Sequence, residues 1–348
     1  MPNIKILPYS NSNKQLWDDF VNKNKHTWID TKSHWIDYFS NKFKYKNYSF
    51  FIYENDNLIG IMPLFLAKNI FFGSRLVSGP INDMGGPFLE KEDNAILNEI
   101  CSYIDEVAAK ENAAYAELRC CPIKLPGFAA KEEYADFSLD LNESMENLWK
   151  KMDKKLRNGI RKAQKTLTIE KSTSHDDLLT FYNLHLTTMR SLGSPPLALH
   201  FFEEAFKDAG KNMFFLFAKY EGKIICAIEV LSYNEVARHE STAYLPAYKN
   251  LQANSLLVFN AIEETKKNGC KKFLFGRTLK DGSVYDYKKR WNADELEYLF
   301  YYKLYKSKKI NSDIRKSPII HIANIVWRFM PLWASRRIGN YFRRMVVL

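Results

Sequence analysis

One stretch, residues 271–302, constrains the fold most, because it places a polar loop between two segments of strand-forming residues. The first segment is the apolar run 273–275, which ends at Gly276, and the second is the aromatic-rich run 295–302. Glycine between aromatic flanks predicts a strand, a loop and a second strand. The predicted loop carries a group of cations: Arg277, Lys280, Lys288, Lys289 and Arg290. Near the end of a sheet such groups can clamp a phosphate or carboxylate; the alternative is an ordinary solvated loop.

The N-terminal part of the chain alternates between two periodic patterns. Apolar residues three and four apart predict helices at residues 14–24, 33–43 and 91–111. Aromatic and β-branched runs predict strands at residues 48–53, 58–67 and 114–119. Glycine and proline between the second and third strands predict a turn-rich loop over residues 76–90, whose backbone a ligand can approach closely. We therefore predict a mixed α/β domain over residues 1–140.

A long basic helix is predicted to open the second domain, from Ser144 onward. One apolar stripe recurs every four residues and is expected to be buried: Leu148, Met152, Leu156 and Ile160. A separate stripe is cationic: Lys150, Lys154, Arg157, Arg161 and Lys165. Surface helices usually mix signs, because like charges four residues apart repel each other. The stripe therefore favours an anionic partner, with a solvated face of a basic protein as the alternative.

The remainder of the second domain, residues 141–311, again mixes helices and strands. Helices are predicted at residues 176–191, 198–209 and 254–268. Three consecutive antiparallel strands are predicted at residues 213–220, 223–233 and 235–244. The fold class expected for the whole chain is α/β, with mixed sheets in both domains.

Composition limits the compartment and the partner. A content of 46% hydrophobic residues is ample for large cores, and the formal net charge of +11 favours an anionic partner. The five cysteines follow no metal or disulfide spacing, and we expect buried thiols in a reducing compartment. The N-terminus lacks a signal-peptide pattern, and no apolar run reaches the ~20 residues that span a bilayer. We expect a cytoplasmic protein with no metal site, and we expect any contact with the inner face of a membrane to be peripheral.

The last segment, residues 312–348, differs from the rest of the chain. It carries seven cations against one carboxylate, interspersed with tryptophan, phenylalanine and tyrosine. A basic, aromatic, helix-compatible tail suits the surface of an anionic membrane. The alternative is that its aromatic side chains pack on the body of the protein.

Five motifs occur in order along the chain: RLVSGPINDMGGPF, KLRNGIRKAQK, FYNLHLTTMRSLGSPP, STAYLPAYKNLQANSLLVFNAIEETKKNGCKKFLFGR and GSVYDYKKRW. Together they resemble the motifs of the FemAB-type acyltransferases, in particular the FemAB-related proteins of surface-polysaccharide loci. The resemblance covers about residues 50–305. It implies two tandem GNAT (acyl-CoA N-acyltransferase-like) domains that transfer an acyl or aminoacyl group to an amine of a nucleotide-linked sugar or envelope precursor. It implies no tightly bound cofactor, and the donor is either aminoacyl-tRNA or acyl-CoA.

The resemblance also implies roles for individual residues. Tyr287 and Lys288 match the family's aromatic-lysine pair, in which the lysine activates the reacting groups or stabilises an oxyanion. Arg157 and Arg161 match a basic segment suited to phosphate. The remaining candidates for substrate binding are Tyr244, Asn254, Arg277 and Arg290.

Two departures from the family pattern bear on the mechanism. Asn292 replaces the glycine expected after Trp291, which should stiffen that turn and leave the lysine in place. The segment 249–254 lacks the glycines that usually cradle the pyrophosphate of coenzyme A, which counts against acetyl-CoA. His239 and Glu240 are either a general base on a strand or a packed or salt-bridged pair. A third function remains open, a non-catalytic protein that binds RNA or a membrane surface.

Overall fold

The computed structural model describes residues 3–69, 73–81, 84–120, 123–306 and 318–345. Within these ranges the chain forms two compact units. Unit 1 contains residues up to 134 and residues 297–306, and unit 2 contains residues 135–296 and 318–345. The units therefore interleave along the chain, whereas the sequence analysis predicts contiguous domains with limits at 140 and 311.

Up to residue 140 the chain forms nine strands and three helices in the described ranges. The strands are β1 (Ile4–Pro8), β2 (Lys46–Asn47), β3 (Phe50–Glu54), β4 (Asn57–Met62), β5 (Phe65–Asn69), β6 (Gly73–Val77), β7 (Phe88–Leu89), β8 (Tyr115–Cys120) and β9 (Ala129–Asp140). The helices are α1 (Lys14–Lys23), α2 (Ser33–Lys42) and α3 (Asn94–Glu111).

Beyond residue 140 helices and strands alternate more evenly. The helices are α4 (Met145–Lys151), α5 (Lys154–Gln164), α6 (His175–Leu192), α7 (Leu199–Ala209), α8 (Ala253–Lys267), α9 (Ser283–Lys289), α10 (Pro318–Phe329) and α11 (Leu332–Met345). The strands are β10 (Thr168–Ser172), β11 (Met213–Tyr220), β12 (Lys223–Tyr233), β13 (Val236–Tyr244), β14 (Lys272–Leu274), β15 (Thr278–Leu279) and β16 (Asp294–Leu304).

Unit 1 contains two sheets with α3 against them. One has the strand order β1-β3-β4-β7, and the other runs β2-β5-β6-β8 and continues into residues 299–304 of β16. The predicted strand 58–67 is wrong as one element, because it divides into β4 and β5 in different sheets. Pro63 lies at the division, and proline has no N–H to donate to a ladder.

The glycine-rich loop of unit 1 is held by a buried guanidinium. Arg119 donates to the carbonyl oxygens of Gly79 and Pro80 at 3.3 and 3.2 Å, and it forms an ion pair with Glu117 at 3.1 Å. A buried charge persists only when it is paired and hydrogen-bonded, as here. The loop backbone therefore has a fixed path over the described residues; Asn82 and Asp83 lie outside them.

The sheet of unit 2 runs in the order β10-β11-β12-β13-β14-β9. The pairings of β11, β12 and β13 are antiparallel, and β13 and β14 are parallel through the crossover helix α8. The sequence-predicted strands 213–220 and 223–233 coincide with β11 and β12. The long strand β9 was not predicted.

The predicted basic helix divides in two. Asp153 separates α4 from α5, and its carboxylate accepts from the backbone N–H groups of Lys155 and Leu156 at 2.8 and 3.1 Å. An aspartate that satisfies two donors of a first turn is a strong N-cap, so a new helix begins there. The buried stripe is confirmed, because Leu148, Met152, Leu156 and Ile160 all lie in the core of unit 2.

The C-terminal helices α10 and α11 pack against α6 within unit 2. Trp327 and Ser335 are buried, although much of the outer surface of both helices stays exposed. Residues 312–317 and 346–348 of the predicted tail lie outside the described residues. Among the described helices none combines the length and the hydrophobicity needed to cross a bilayer.

Candidate active site

The site begins where the parallel strands β13 and β14 stop pairing. Their register runs from Val236 opposite Lys272 to Arg238 opposite Leu274 and ends there. In open α/β sheets, ligands bind in the crevice beyond the carboxyl ends of such strands. The next residues of both strands, beginning with His239 and Phe275, therefore line the region where a ligand is expected.

A β-bulge lies at the same position. Glu229 on β12 pairs with Ser241 on β13, whereas the neighbouring Val230 pairs with His239, so Glu240 is an extra residue. Bulges bend a strand and re-aim its side chains, and they are frequent beside active sites. Here the bulge turns β13 just after its pairing with β14 ends.

His239 starts a short chain of hydrogen bonds towards helix α8. Its Nε2 lies 2.8 Å from Oγ1 of Thr242, and that hydroxyl donates to Oδ1 of Asn254 at 3.2 Å. The ring of His239 is thus linked through the hydroxyl of Thr242 to Asn254. Burial, and then the charge of Lys288, lower the pKa of His239 to about 3, so the ring is neutral at physiological pH.

Lys288 is a cation whose charge acts on His239. Its side chain, 6% exposed, lies on α9, and Nζ donates to the carbonyl oxygen of Gly276. Gly276 has φ +77°, and a Cβ there would lie 3.1 Å from the carbonyl oxygen of His239. Glycine is needed at this position because the backbone is left-handed and close to β13. The lysine is thus fixed at the carboxyl end of both strands.

The structure has helix α9 within residues 277–290, where the sequence predicted a loop. Trp291, fully buried, lies 5.5 Å from the ring of Phe275 and 6.2 Å from the ring of Tyr287. These contacts anchor the helix to the core and orient Lys288. Asn292 has φ +55°, a left-handed conformation that asparagine adopts more readily than most residues. Asparagine therefore takes the place of the glycine expected at this position and adopts a left-handed backbone conformation there.

Tyr287 points into the core beside α8. Burial raises the pKa of Tyr287 to about 12, and the side chains of Ser255 and Trp291 oppose that shift. The phenol therefore stays protonated at physiological pH. It can donate a hydrogen bond or position α9, but it cannot act as a base.

The other predicted site residues fall into two groups. Tyr244 and Arg277 lie close in sequence to the hydrogen-bonded residues just described. The N–H of Tyr244 donates to Oγ1 of Thr188 on α6 at 2.7 Å, and Arg277 follows Gly276. Arg157 and Arg161 lie on α5, where the guanidinium of Arg161 stacks over Trp149 at 5.3 Å. No described contact links them to Lys288. Arg290 is exposed, and its backbone carbonyl accepts from the N–H of Asp153.

Two acidic residues at the bulge have separate roles. Glu240 forms a two-pronged ion pair with Arg238, at 2.8 and 3.0 Å, which favours the salt-bridged alternative and places its partner on Arg238 rather than His239. Glu229 is buried and accepts from Oγ of Ser241 at 2.6 Å. Burial raises the pKa of Glu229 to about 8. Glu229 was missed in the sequence, where it reads as one polar residue in an apolar strand.

The segment without glycines, 249–254, still adopts a left-handed residue before α8. Gln252 has φ +58° and its side chain packs at 3.4 Å from the position a Cβ would take on Gly159. The start of α8 has no side-chain cap. Consecutive backbone N–H groups at such a turn form an anion-binding concavity, with the positive end of the helix dipole behind it. The missing glycines therefore do not prevent this backbone shape. Among the described residues no cluster of histidine, cysteine and carboxylate could hold a metal.

We predict that Gly276→Ala destabilises the protein more than Gly269→Ala. Both glycines are left-handed, at φ +77° and +86°, so each substitution costs about 1–2 kcal/mol of strain. Only Gly276 also crowds the backbone of His239; the space at Gly269 is open. Urea unfolding of both variants measures the difference. Equal losses would contradict the close approach of the two strands.

We predict that the free energy of unfolding falls as pH rises from about 5 to 8. The folded state holds a proton on Glu229 up to about pH 8, whereas an ordinary glutamate releases it near 4.5, so each unit in this window costs up to about 1.4 kcal/mol. Glu229→Gln keeps a neutral acceptor for Ser241 and should flatten the slope. Denaturant unfolding at several pH values tests this, with the exposed Glu221→Gln as control. An unchanged slope in Glu229→Gln would rule out the buried acid.

Comparisons with known proteins agree with this geometry. Residues 150–289 match the model of the acetyltransferase (GNAT) domain family, a span that holds every candidate site residue except Arg290. Among solved structures, FemX superposes with a TM-score of 0.64 at 13% identity, covering 90% of this chain and 99% of FemX. A tandem GNAT protein of the clavulanic acid pathway superposes at 0.54 and 11% identity, covering 88% of this chain and all of the other.

A third similar structure is the C-terminal domain of a protein from Agrobacterium fabrum described as a lysylphosphatidylglycerol synthetase. Its TM-score is 0.56 at 13% identity, covering 86% of this chain and 93% of that domain. No curated protein sequence matches the chain. At such low identities the structural likenesses describe the fold alone. The chain therefore has the fold of FemX and of a tandem GNAT protein, and residues 150–289 of its second unit match the acetyltransferase (GNAT) domain family.

Proposed function

We propose that the protein transfers an acyl or aminoacyl group directly to a primary amine, with Lys288 stabilising the oxyanion of the transition state. The observation that carries this proposal is the buried ammonium of Lys288 at the carboxyl ends of β13 and β14. A cation fixed in advance in a dry site stabilises developing charge without reorganising. The carbonyl of Gly276, which accepts from Nζ, is neutral, so this hydrogen bond does not cancel the positive charge.

The step requires no covalent enzyme intermediate. The neutral amine attacks the carbonyl carbon of the donor, a carbon–nitrogen bond forms, and the carbonyl oxygen becomes negative beside Lys288. Collapse breaks the bond to the leaving oxygen or sulfur, which takes up the proton lost by the amine nitrogen. Positioning and oxyanion stabilisation suffice for such a transfer.

A cysteine that pairs with Tyr244 across the sheet argues against a covalent thioester. Cys226 is buried, and burial raises the pKa of Cys226 to about 12. Only a thiolate is a good nucleophile, and this thiol stays protonated. Direct transfer to the acceptor amine is thus favoured over a two-step route.

The donor we favour is an aminoacyl-tRNA. The similar structure described as a lysylphosphatidylglycerol synthetase bears a name that denotes aminoacyl transfer. On this chain, Arg157 and Arg161 lie on a helix of eleven residues without a carboxylate, and Nε of Arg157 is buried without an acceptor among the described residues. Guanidinium groups so placed suit the phosphates of a large polyanion. The acceptor we propose is the amine of a nucleotide-linked sugar or envelope precursor.

Acyl-CoA is the second candidate donor, and one observation favours it. Gln252 is left-handed at the uncapped start of α8, which presents backbone N–H groups to a pyrophosphate. Thermal stabilisation by each candidate distinguishes the donors, because a ligand that binds only the folded state raises the melting temperature. Acyl-CoA, charged tRNA and a UDP-linked amino sugar are compared side by side.

We predict that Lys288→Ala lowers kcat/KM by about 10²–10³-fold, the usual loss when one oxyanion donor is removed. The neighbouring Lys289 is exposed on the same helix, so Lys289→Ala is the matched control and should stay within about twofold. Transfer of labelled aminoacyl or acyl groups to the acceptor measures both variants. Near-normal turnover by folded Lys288→Ala would refute the assignment.

We predict that the double variant Arg157→Ala/Arg161→Ala raises KM for the tRNA donor at least tenfold, with a smaller effect on kcat. Loss of two phosphate contacts should also reduce the salt dependence of donor binding by about two in the log–log slope. Lys207→Ala/Lys211→Ala removes the same charge from an exposed part of unit 2 and serves as control. If both double variants behave alike, net charge rather than this helix attracts the donor.

A further inference from the structure

The C-terminal helices form a second surface, distinct from the candidate active site. Their inner side is fixed to unit 2: Trp327 is 5% exposed, and Nδ2 of Asn340 lies 3.5 Å from Nε2 of His200. The contact with the body is close, because a Cβ on Gly339 would lie 2.7 Å from the ring of Pro196. Helices docked in this way hold their outer side in a fixed orientation.

The outer side of α10 is a continuous apolar stripe. Ile322, Ile325, Val326 and Phe329 follow the spacing i, i+3, i+4, i+7, and all four are exposed, Phe329 to 83%. This spacing normally marks the buried face of a helix. Trp327, on the other side, is buried, and its ring lies 5.5 Å from that of Phe342 on α11. The helix therefore carries one apolar face that is covered and one that is not.

Helix α11 continues the pattern with aromatic side chains. Trp333 and Tyr341 are eight residues apart on its outer side, and Arg337 lies midway between them. The side chain of Trp333 is 68% exposed. Of the fifteen exposed large hydrophobic side chains in the described part of the chain, eight lie between residues 322 and 342. Such a concentration marks an interaction surface rather than the scattered exposure of ordinary proteins.

The charge of this surface is of one sign. Residues 318–345 contain no aspartate or glutamate. Arg328, Arg336 and Arg337 are exposed among the apolar side chains, and the guanidinium of Arg336 also lies 5.8 Å from the ring of Tyr182. Two copies of such a surface would repel each other, whereas an anionic layer with an apolar interior would satisfy both the arginines and the apolar stripe.

We propose that α10 and α11 form a docking surface for a bilayer of anionic phospholipid, with the apolar stripe inserted at the level of the headgroups. Tryptophan and tyrosine prefer that interface, and arginine pairs with lipid phosphate. The helices lie along the bilayer surface. Binding is reversible, since it rests on one apolar surface and a few charges rather than a membrane span.

Sedimentation of the full-length protein with vesicles tests the proposal. We expect it to bind vesicles of phosphatidylcholine with 30% phosphatidylglycerol, at least tenfold more strongly than pure phosphatidylcholine vesicles, and to weaken with added salt. Phe329→Ser/Trp333→Ser should lower binding at least tenfold, because both side chains are exposed and the fold does not depend on them. Arg328→Gln/Arg337→Gln should remove most of the preference for anionic lipid.

The control removes exposed apolar side chains elsewhere. Leu7 and Leu304 are 47% and 41% exposed in unit 1, so Leu7→Ser/Leu304→Ser should bind vesicles as the wild type does. Equal binding to both kinds of vesicle, no binding to either, or no loss in the tail variants would overturn the proposal. Light scattering measures the oligomeric state and tests the alternative that a second copy of the chain covers this surface. If the wild type is a dimer and Phe329→Ser/Trp333→Ser is a monomer, the surface is a dimer interface and the proposal is wrong.

Discussion

The hydrogen bond from Lys288 to the carbonyl of Gly276 is the interaction on which the site depends. A buried ammonium loses its hydration, and it is retained only where acceptors replace the lost water. Gly276 supplies that acceptor because its left-handed backbone turns the carbonyl away from β13 and towards α9. Removing the glycine conformation would therefore displace the lysine without touching it. The backbone geometry of Gly276 thus helps to hold the charge that favours an oxyanion.

The same charge acts on a neighbouring group. Burial, and then the charge of Lys288, lower the pKa of His239 and keep its ring neutral, and the hydrogen bonds through Thr242 to Asn254 fix the orientation of the ring. A neutral imidazole beside an ammonium leaves the positive charge concentrated on one atom. Glu229, protonated at the opposite strand of the bulge, adds no negative charge below about pH 8. The polar groups around the lysine are thus arranged to preserve its charge.

Local pattern predicted the elements well and their junctions poorly. The apolar stripe Leu148 to Ile160 was readable because helical period and burial agree, but the break at Asp153 depends on a capping aspartate inside that period. Helix α9 has seven residues, too few for a clear period, and the glycines and cations around it indicated a loop. Lys288 was predicted by its motif, whereas its partners were not, because Gly276 and His239 meet only through a parallel pairing across the crossover helix α8. Glu229 and Ser241 meet through a bulged register that no periodicity contains.

Helix α6 relates the two surfaces of unit 2. Its Thr188 both donates to the carbonyl of Tyr244 and accepts from its N–H, which ties α6 to the end of β13 beside the site. Helix α6 also contacts α10 and α11, so the docking surface rests on the same helix. A bilayer held by the outer sides of α10 and α11 would then lie at a fixed distance from Lys288, set by packing rather than by a linker. An acyltransferase built in this way would meet acceptors carried at the membrane surface in one orientation. The close contacts of Gly339 with Pro196 and of Gly193 with Asn324 maintain that orientation.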